Sequence, residues 1–304
     1  MMKLPQSALI REVGPRDGLQ NEKQFVSTEQ KLEWINLLVN SGLSYIEVSS
    51  FVRPDWIPQL SDSVDLFTKL KKKDGVTYAA LVPNKRGLMS AFEVDADEIN
   101  FFVSASETHN LKNKNASIEH SMNDIRSMIT ECKNNKKTTR AYISTVFGCP
   151  YEGAVDQLKV INLANQLLEC GVDEISLGDT IGIANPLQVN DFLENLVKEV
   201  PVERIAMHFH DTYGRAIANL YTSLQFGIEK FDSSNGGLGG CPYAPGASGN
   251  VATEDVVSLL HNLGISTNID EKKLHQATSY ISEQMNLTPV SKLFSVWNGS
   301  KESI

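Results

Sequence analysis

Short apolar runs rich in β-branched residues alternate along this chain with longer segments whose apolar positions recur every three to four residues. The first pattern suits buried strands and the second suits helices laid over them. Eight such runs stand out: Ala8–Val13, Tyr45–Phe51, Thr77–Val82, Glu98–Ser104, Arg140–Phe147, Glu174–Gly178, Arg204–His210 and Lys230–Ser233. Each precedes a helical pattern, so repeated βα units of a parallel sheet are predicted. Eight units point to closure as a (β/α)8 TIM barrel. Beyond the eighth, Glu271–Met285 and Ser291–Trp297 read as extra C-terminal helices that cover the barrel or form a subunit contact. An open doubly wound sheet would carry G-x-G-x-x-G after its first strand, and Gly14-Pro15-Arg16-Asp17-Gly18 does not match it.

Helix ends are marked too. Ser27 to Gln30, Ser117 before Ile118, and Asn185-Pro186 carry N-cap and first-turn chemistry. Gly42, Gly171, Gly227 and Gly264 each close a helical pattern, as a left-handed residue after a helix does. One catalytic domain spanning 1–304 is therefore expected, with 265–304 as a helical extension.

Composition narrows the function classes. At 41% hydrophobic and 21% charged the chain is ordinary globular material. A net charge of −9 argues against a nucleic-acid or anionic-membrane partner, which would recruit basic surface. The run Lys69–Lys73 reads as a solvated helix end. Four cysteines, at 132, 149, 170 and 241, form no CxxC pair, which fits a reducing compartment. Residues 1–17 contain no apolar signal core, so a cytoplasmic protein is expected, and the sequon Asn115-Ala116-Ser117 is then without consequence.

The candidate chemistry lies where the strands should end, since barrel enzymes work at the C-terminal ends of their strands. His208 and His210 flank Phe209, so a strand would turn both imidazoles to one face, where a metal ion could sit. Asp17 and Asn250 offer oxygen ligands, although Asp17 could equally cap a helix beside Gly18. A carboxylate, an amide oxygen and two imidazoles suit Mg2+ or Mn2+ better than a closed tetrahedral zinc site. Gly236 to Asn250 holds six glycines and no Walker pattern, which reads as a mobile active-site lid. Cys241 on that lid is a candidate acid or base, whereas Cys132, Cys149 and Cys170 read as packing residues.

Two stretches, Val13-Gly14-Pro15-Arg16-Asp17-Gly18-Leu19-Gln20-Asn21-Glu22 and Gly237-Leu238-Gly239-Gly240-Cys241-Pro242-Tyr243-Ala244, resemble those of the hydroxymethylglutaryl-CoA lyase family. The likeness spans nearly the whole chain. It implies a (β/α)8 fold, a divalent cation, and cleavage of 3-hydroxy-3-methylglutaryl-CoA to acetyl-CoA and acetoacetate. It further implies Asp17, His208, His210 and Asn250 as metal ligands, and Arg16, Glu47, Asp179 and Cys241 as the catalytic set. Glu254 matches a further polar position. Asn235-Gly236 departs from the apolar pair expected there and should loosen the base of the loop.

The residue types suit that reaction. Breaking the C2–C3 bond requires a tertiary hydroxyl to lose its proton while a thioester enolate leaves; a metal acidifies the hydroxyl and the fixed charge of Arg16 can meet the enolate oxygen. Glu47 would hold Arg16 in place or form a plain surface ion pair with it. An acyl-CoA substrate and a homodimer are expected. Two alternatives stay open: a Claisen-type synthase on the same barrel, and a non-catalytic acyl-CoA-binding or metal-sensing barrel.

Overall fold

Inward charges and outward apolar side chains alternate along the strands, and this alternation explains both the core and the position of the site. The structure is a computed structural model and describes residues 4–240 and 249–301. Its strands are β1 (Leu9–Glu12), β2 (Tyr45–Ser50), β3 (Thr77–Leu81), β4 (Glu98–Ser104), β5 (Thr138–Ser144), β6 (Glu174–Asp179), β7 (Ile205–Phe209) and β8 (Lys230–Ser233). All pair parallel in sequence order, and β8 returns to β1, so the sheet closes into a barrel as expected.

The helices are α1 (Thr28–Asn40), α2 (Ser63–Lys69), α3 (Lys85–Glu93), α4 (Glu107–Lys114), α5 (Ile118–Asn134) and α6 (Gln157–Cys170). They continue with α7 (Pro186–Glu199), α8 (Ala216–Gln225), α9 (Thr253–Asn262), α10 (Glu271–Met285) and α11 (Lys292–Lys301). Ser27 and Gln30 form a reciprocal capping box on α1, and Asn185 with Gln188 does the same on α7. Each such cap is worth about 1 kcal/mol. The sequon falls between α4 and α5, where Asn115 is the left-handed end of one helix and Ser117 caps the next. The lysine run leaves α2 as an exposed end, with Lys69 bonded to Asp65 and Lys72 to Asp97.

Ile99, Phe101 and Val103 of β4 and Ala141 and Ile143 of β5 point outward and join the apolar layer between barrel and helices. Trp34, Ile125, Phe192 and Leu220 belong to the same layer from the helical side. Many of the inward residues are polar or charged, although Leu81 and Phe102 also face the cavity. Glu174 draws in Arg11, Arg140 and Lys230, Tyr45 donates to Glu98 at 2.8 Å, and Asn100 donates to both Tyr45 and Glu47. These charges interrupt the apolar runs without ending them, because every second position faces the barrel axis. Strand ends shift slightly: β5 begins at Thr138 rather than Arg140, and residues 202–204 form a short 3-10 turn ahead of β7.

Candidate active site

Three backbone features bring the site together at the C-terminal end of the barrel. After β1 the chain makes one wide π-helical turn over Gly14–Gly18. Arg16 and Asp17 sit on that turn, so Asp17 is not a helix cap. At the end of β7, His208 and His210 share a face with ring centroids 5.2 Å apart, while Phe209 turns outward against Phe147. Beyond β8, residue 250 forms an antiparallel bridge with His210, which carries Asn250 to the same point. Gly239 makes the approach possible: its φ is +105°, and a Cβ there would come 2.7 Å from the Asn250 amide and 3.3 Å from the Asp17 carbonyl.

The ligand atoms of Asp17, His208 and His210 all lie within 4.8 Å of one another. The Asn250 amide nitrogen donates to Asp17 Oδ2 at 2.7 Å. Among the described residues, Asn250 Oδ1 and His210 Nδ1 are buried acceptors or donors without a hydrogen-bond partner. Such orphaned polar atoms are costly unless something else completes them, and a hard divalent cation with oxygen and imidazole ligands would. These four residues fit the group the sequence predicts. Burial would raise the Asp17 carboxyl, but Arg16, His208, His210 and the Asn250 amide outweigh it and bring it down to about 2. For His210, burial first and then the neighbouring His208 push the imidazole down to about 4, leaving it neutral. Both are the protonation states a metal requires.

Arg16 is buried beside the cluster. Its Nε donates to Glu47 Oε2 at 2.5 Å, Nη2 lies 2.5 Å from the same oxygen, and Nη1 donates to Asp17. Glu47 is fully buried, which rules out the surface ion pair, and Asn100 bonds its other oxygen. The remaining hydrogens of Nη1 and Nη2 are left for a ligand. Asp179 stands apart: it ends β6, and its two carboxylate oxygens accept from the amides of Ile183 and Ala184 at 3.1 and 3.0 Å. Burial, offset by these bonds, raises it to about 6. Its flanking residues Gly178 and Thr180 line the cavity, whereas Asp179 itself does not.

Cys241 and the following residues through 248, with most of the predicted lid, lie outside the described residues. The base of that segment is described, and it corrects one expectation. Asn235 does not loosen it: its amide donates to Glu254 and Thr278 at 2.8 and 2.9 Å, its Oδ1 accepts from Trp34, and its backbone N–H donates to Glu12. Gly236, at φ +71°, donates to both oxygens of Glu254. A polar pair here replaces apolar packing with a fully bonded network. Cys149 packs in the core as expected and has a further role. Its buried thiol meets Ser106 at 2.9 Å and accepts from the amides of Tyr151 and Glu152, so it braces a turn as well as filling space.

Two groups escaped the sequence reading. Tyr142 lines the cavity, faces the Arg16 guanidinium at 5.3 Å and turns a ring edge to His208, with its hydroxyl unpartnered among the described residues. Asp232 lies beneath His208. Both are inward positions of strands, and a charged or phenolic residue inside an apolar run was the available signal.

A cavity of about 550 Å³ opens above these groups. Arg16, Asp17, His208 and His210 form its floor, and Lys114 and Trp56 stand on its walls. A drug-sized or larger ligand with a polar head could reach the floor through it.

The chain is also similar to known proteins over nearly its whole length. Over 299 residues the chain is 52% identical to hydroxymethylglutaryl-CoA lyase YngG of Bacillus subtilis, covering 98% of this chain and all of that one. The crystal structure of the HMG-CoA lyase from Bacillus subtilis superposes with a TM-score of 0.97 at 52% identity, covering 98% of this chain and 100% of that one. An HMG-CoA lyase from Acinetobacter baumannii, solved in complex with coenzyme A and 3-methylmalate, superposes with a TM-score of 0.91 at 37% identity, covering 96% of each. The HMGL-like family model matches residues 8–281, and with that match the chain belongs to the HMGL-like family.

Proposed function

We propose that the chain cleaves 3-hydroxy-3-methylglutaryl-CoA to acetyl-CoA and acetoacetate, using Mg2+ or Mn2+ held by Asp17, His208, His210 and Asn250. The observation that carries this reading is the meeting of those four side chains with Arg16 on the floor of one cavity. Near-complete alignment with enzymes of that name supports the substrate, and a relative solved with coenzyme A supports an acyl-CoA in the cavity.

When bound, the cation acidifies the tertiary hydroxyl of the substrate and orients it. Arg16 points its free guanidinium hydrogens at the thioester carbonyl, where negative charge grows as the C2–C3 bond breaks. The electron pair of that bond leaves with C2 as the enolate, the hydroxyl proton goes to a base, and the hydroxyl carbon becomes the ketone of acetoacetate. Protonation at C2 then completes acetyl-CoA. Cys241 is the proposed proton carrier, brought over the cavity on its glycine-rich segment so that water is kept from the enolate. Glu47 positions Arg16, and Asp179 positions the loop that carries Thr180. The acting unit is one domain spanning 1–304 with its 265–304 extension, a cytoplasmic homodimer.

Incubating the purified protein with 3-hydroxy-3-methylglutaryl-CoA and Mg2+ or Mn2+ should release acetoacetate. Condensation of acetyl-CoA with a keto acid, without acetoacetate release, would overturn the lyase reading in favour of a synthase.

A further inference from the structure

The two histidines of the site are not held alike. His208 and Asp232 are register partners on β7 and β8, and both face the barrel axis. Asp232 Oδ2 lies 3.1 Å from His208 Nδ1 and accepts from the Ser176 hydroxyl at 2.8 Å, while Oδ1 accepts from Arg140. The carboxylate has no exposed surface on its side chain. Arg140 is anchored in turn by Glu174 at 2.8 Å. Among the described residues His210 has no counterpart to this support, and its Nδ1 is without a partner.

We infer that Asp232 is a positioning residue for His208: it fixes the ring with its proton on Nδ1, so that Nε2 is presented with a bare lone pair. The inference rests on the metal reading of the site given above. A carboxylate that can only accept forces the facing ring nitrogen to donate, and the other nitrogen is then the ligand. Arg140 and Ser176 keep the carboxylate ionised and immobile, since one donates to each of its oxygens. His208 is thus the pre-set ligand, whereas His210 takes its tautomer from whatever binds.

Asp232→Asn tests this. The amide can still accept from Arg140, yet its nitrogen then faces His208 or Ser176 as a donor, which moves the ring proton to Nε2. Mn2+ affinity, measured by titration calorimetry on the full chain, should fall ten- to a hundredfold, the usual cost of losing such a partner. Far-UV circular dichroism and melting temperature of the same samples separate this from misfolding. Affinity within twofold of wild type in a folded Asp232→Asn protein would overturn the inference. A second measurement needs no variant at that position: 15N shifts of histidine in the metal-free wild type, with the His208 signals assigned by their loss in His208→Gln. Protonation on Nδ1 is expected, and a ring protonated on Nε2 alone overturns the inference. Should the wild type take up no Mn2+, the metal reading fails, and the tautomer still decides the role of Asp232.

Discussion

Arg16 uses three of its nitrogens at once, two on Glu47 and one on Asp17, and only a planar fork can do that while leaving hydrogens for a ligand. Arg16→Lys should lower kcat by about 10²–10³ with a small change in KM, the loss seen when a donor to a developing oxyanion is removed. A raised KM at unchanged kcat would reassign Arg16 to ground-state binding. Cys241→Ala should lower kcat by about 10²–10⁴, the span of one positioned acid–base group, while Mn2+ binding stays at the wild-type level. Mass-spectrometric thiol labelling gives the companion readout: Cys241 should react first and be shielded by substrate. Cys132 should react last, since burial, with Glu131 and Asp173 nearby, pushes its thiol up to about 12. At this scale the sequence showed which side chains carry unusual chemistry, because His-x-His and Arg-Asp at strand ends are legible as patterns. It did not show Asp232 or Tyr142, which look like ordinary interruptions of apolar strands until the barrel closes around them.

Among elements, the turn at 235–237 is tied to β1, α9 and α10 through two buried carboxyls that have no cation partner among the described residues. Glu12 at the end of β1 holds Gly14, Asn235 and Thr253, and Glu254 on α9 holds Asn235, Gly236 and Thr278 of α10. Burial is the main cause that raises Glu12 to about 7 and Glu254 to about 8. Both therefore keep a proton in the folded chain at pH values where the unfolded chain has lost it. Their contribution to stability is complete below about pH 4.5 and declines as pH rises, ending near 7 for Glu12 and near 8 for Glu254. The slope is at most about 1.4 kcal/mol per pH unit for each group. Asp17, held at about 2, acts in the opposite sense but only in acid. Urea midpoints measured from pH 5 to 8 should fall in the wild type and flatten in Glu254→Gln. An equal slope in the variant would show that Glu254 does not titrate in this window. Helix caps and glycine stops were legible as local chemistry, and Gly42, Gly171, Gly227 and Gly264 all take positive φ. The Asn235-Gly236 turn was misread because its partners, Glu12, Trp34 and Thr278, are remote in sequence.

For the whole molecule, stability and chemistry occupy different places. The apolar layer between barrel and helices supplies the core, and the candidate ligands stand on the strand ends above it. Closure was legible because eight βα units repeat, whereas the cavity was not, since α4 and α5 both follow β4 where the repeat suggested one helix. The separation has a consequence for ligand removal. His208→Ala leaves Asp232 still paired with Arg140 and Ser176, and Asp17→Ala leaves Arg16 still paired with Glu47. Neither variant strands a buried charge, so the 3–5 kcal/mol cost of about that order for a broken buried pair does not arise. Both should keep wild-type far-UV circular dichroism while losing Mn2+ affinity. Chelation of the wild type should likewise abolish turnover, reversibly, without unfolding the barrel. Because the cation would bind only the folded chain, restoring Mn2+ to a hundred times its dissociation constant should add about 2.7 kcal/mol and raise the melting temperature of a domain this long by on the order of 4 °C. That rise should vanish in His208→Ala. Full turnover in metal-free enzyme, or an equal rise in the variant, would place the cation elsewhere.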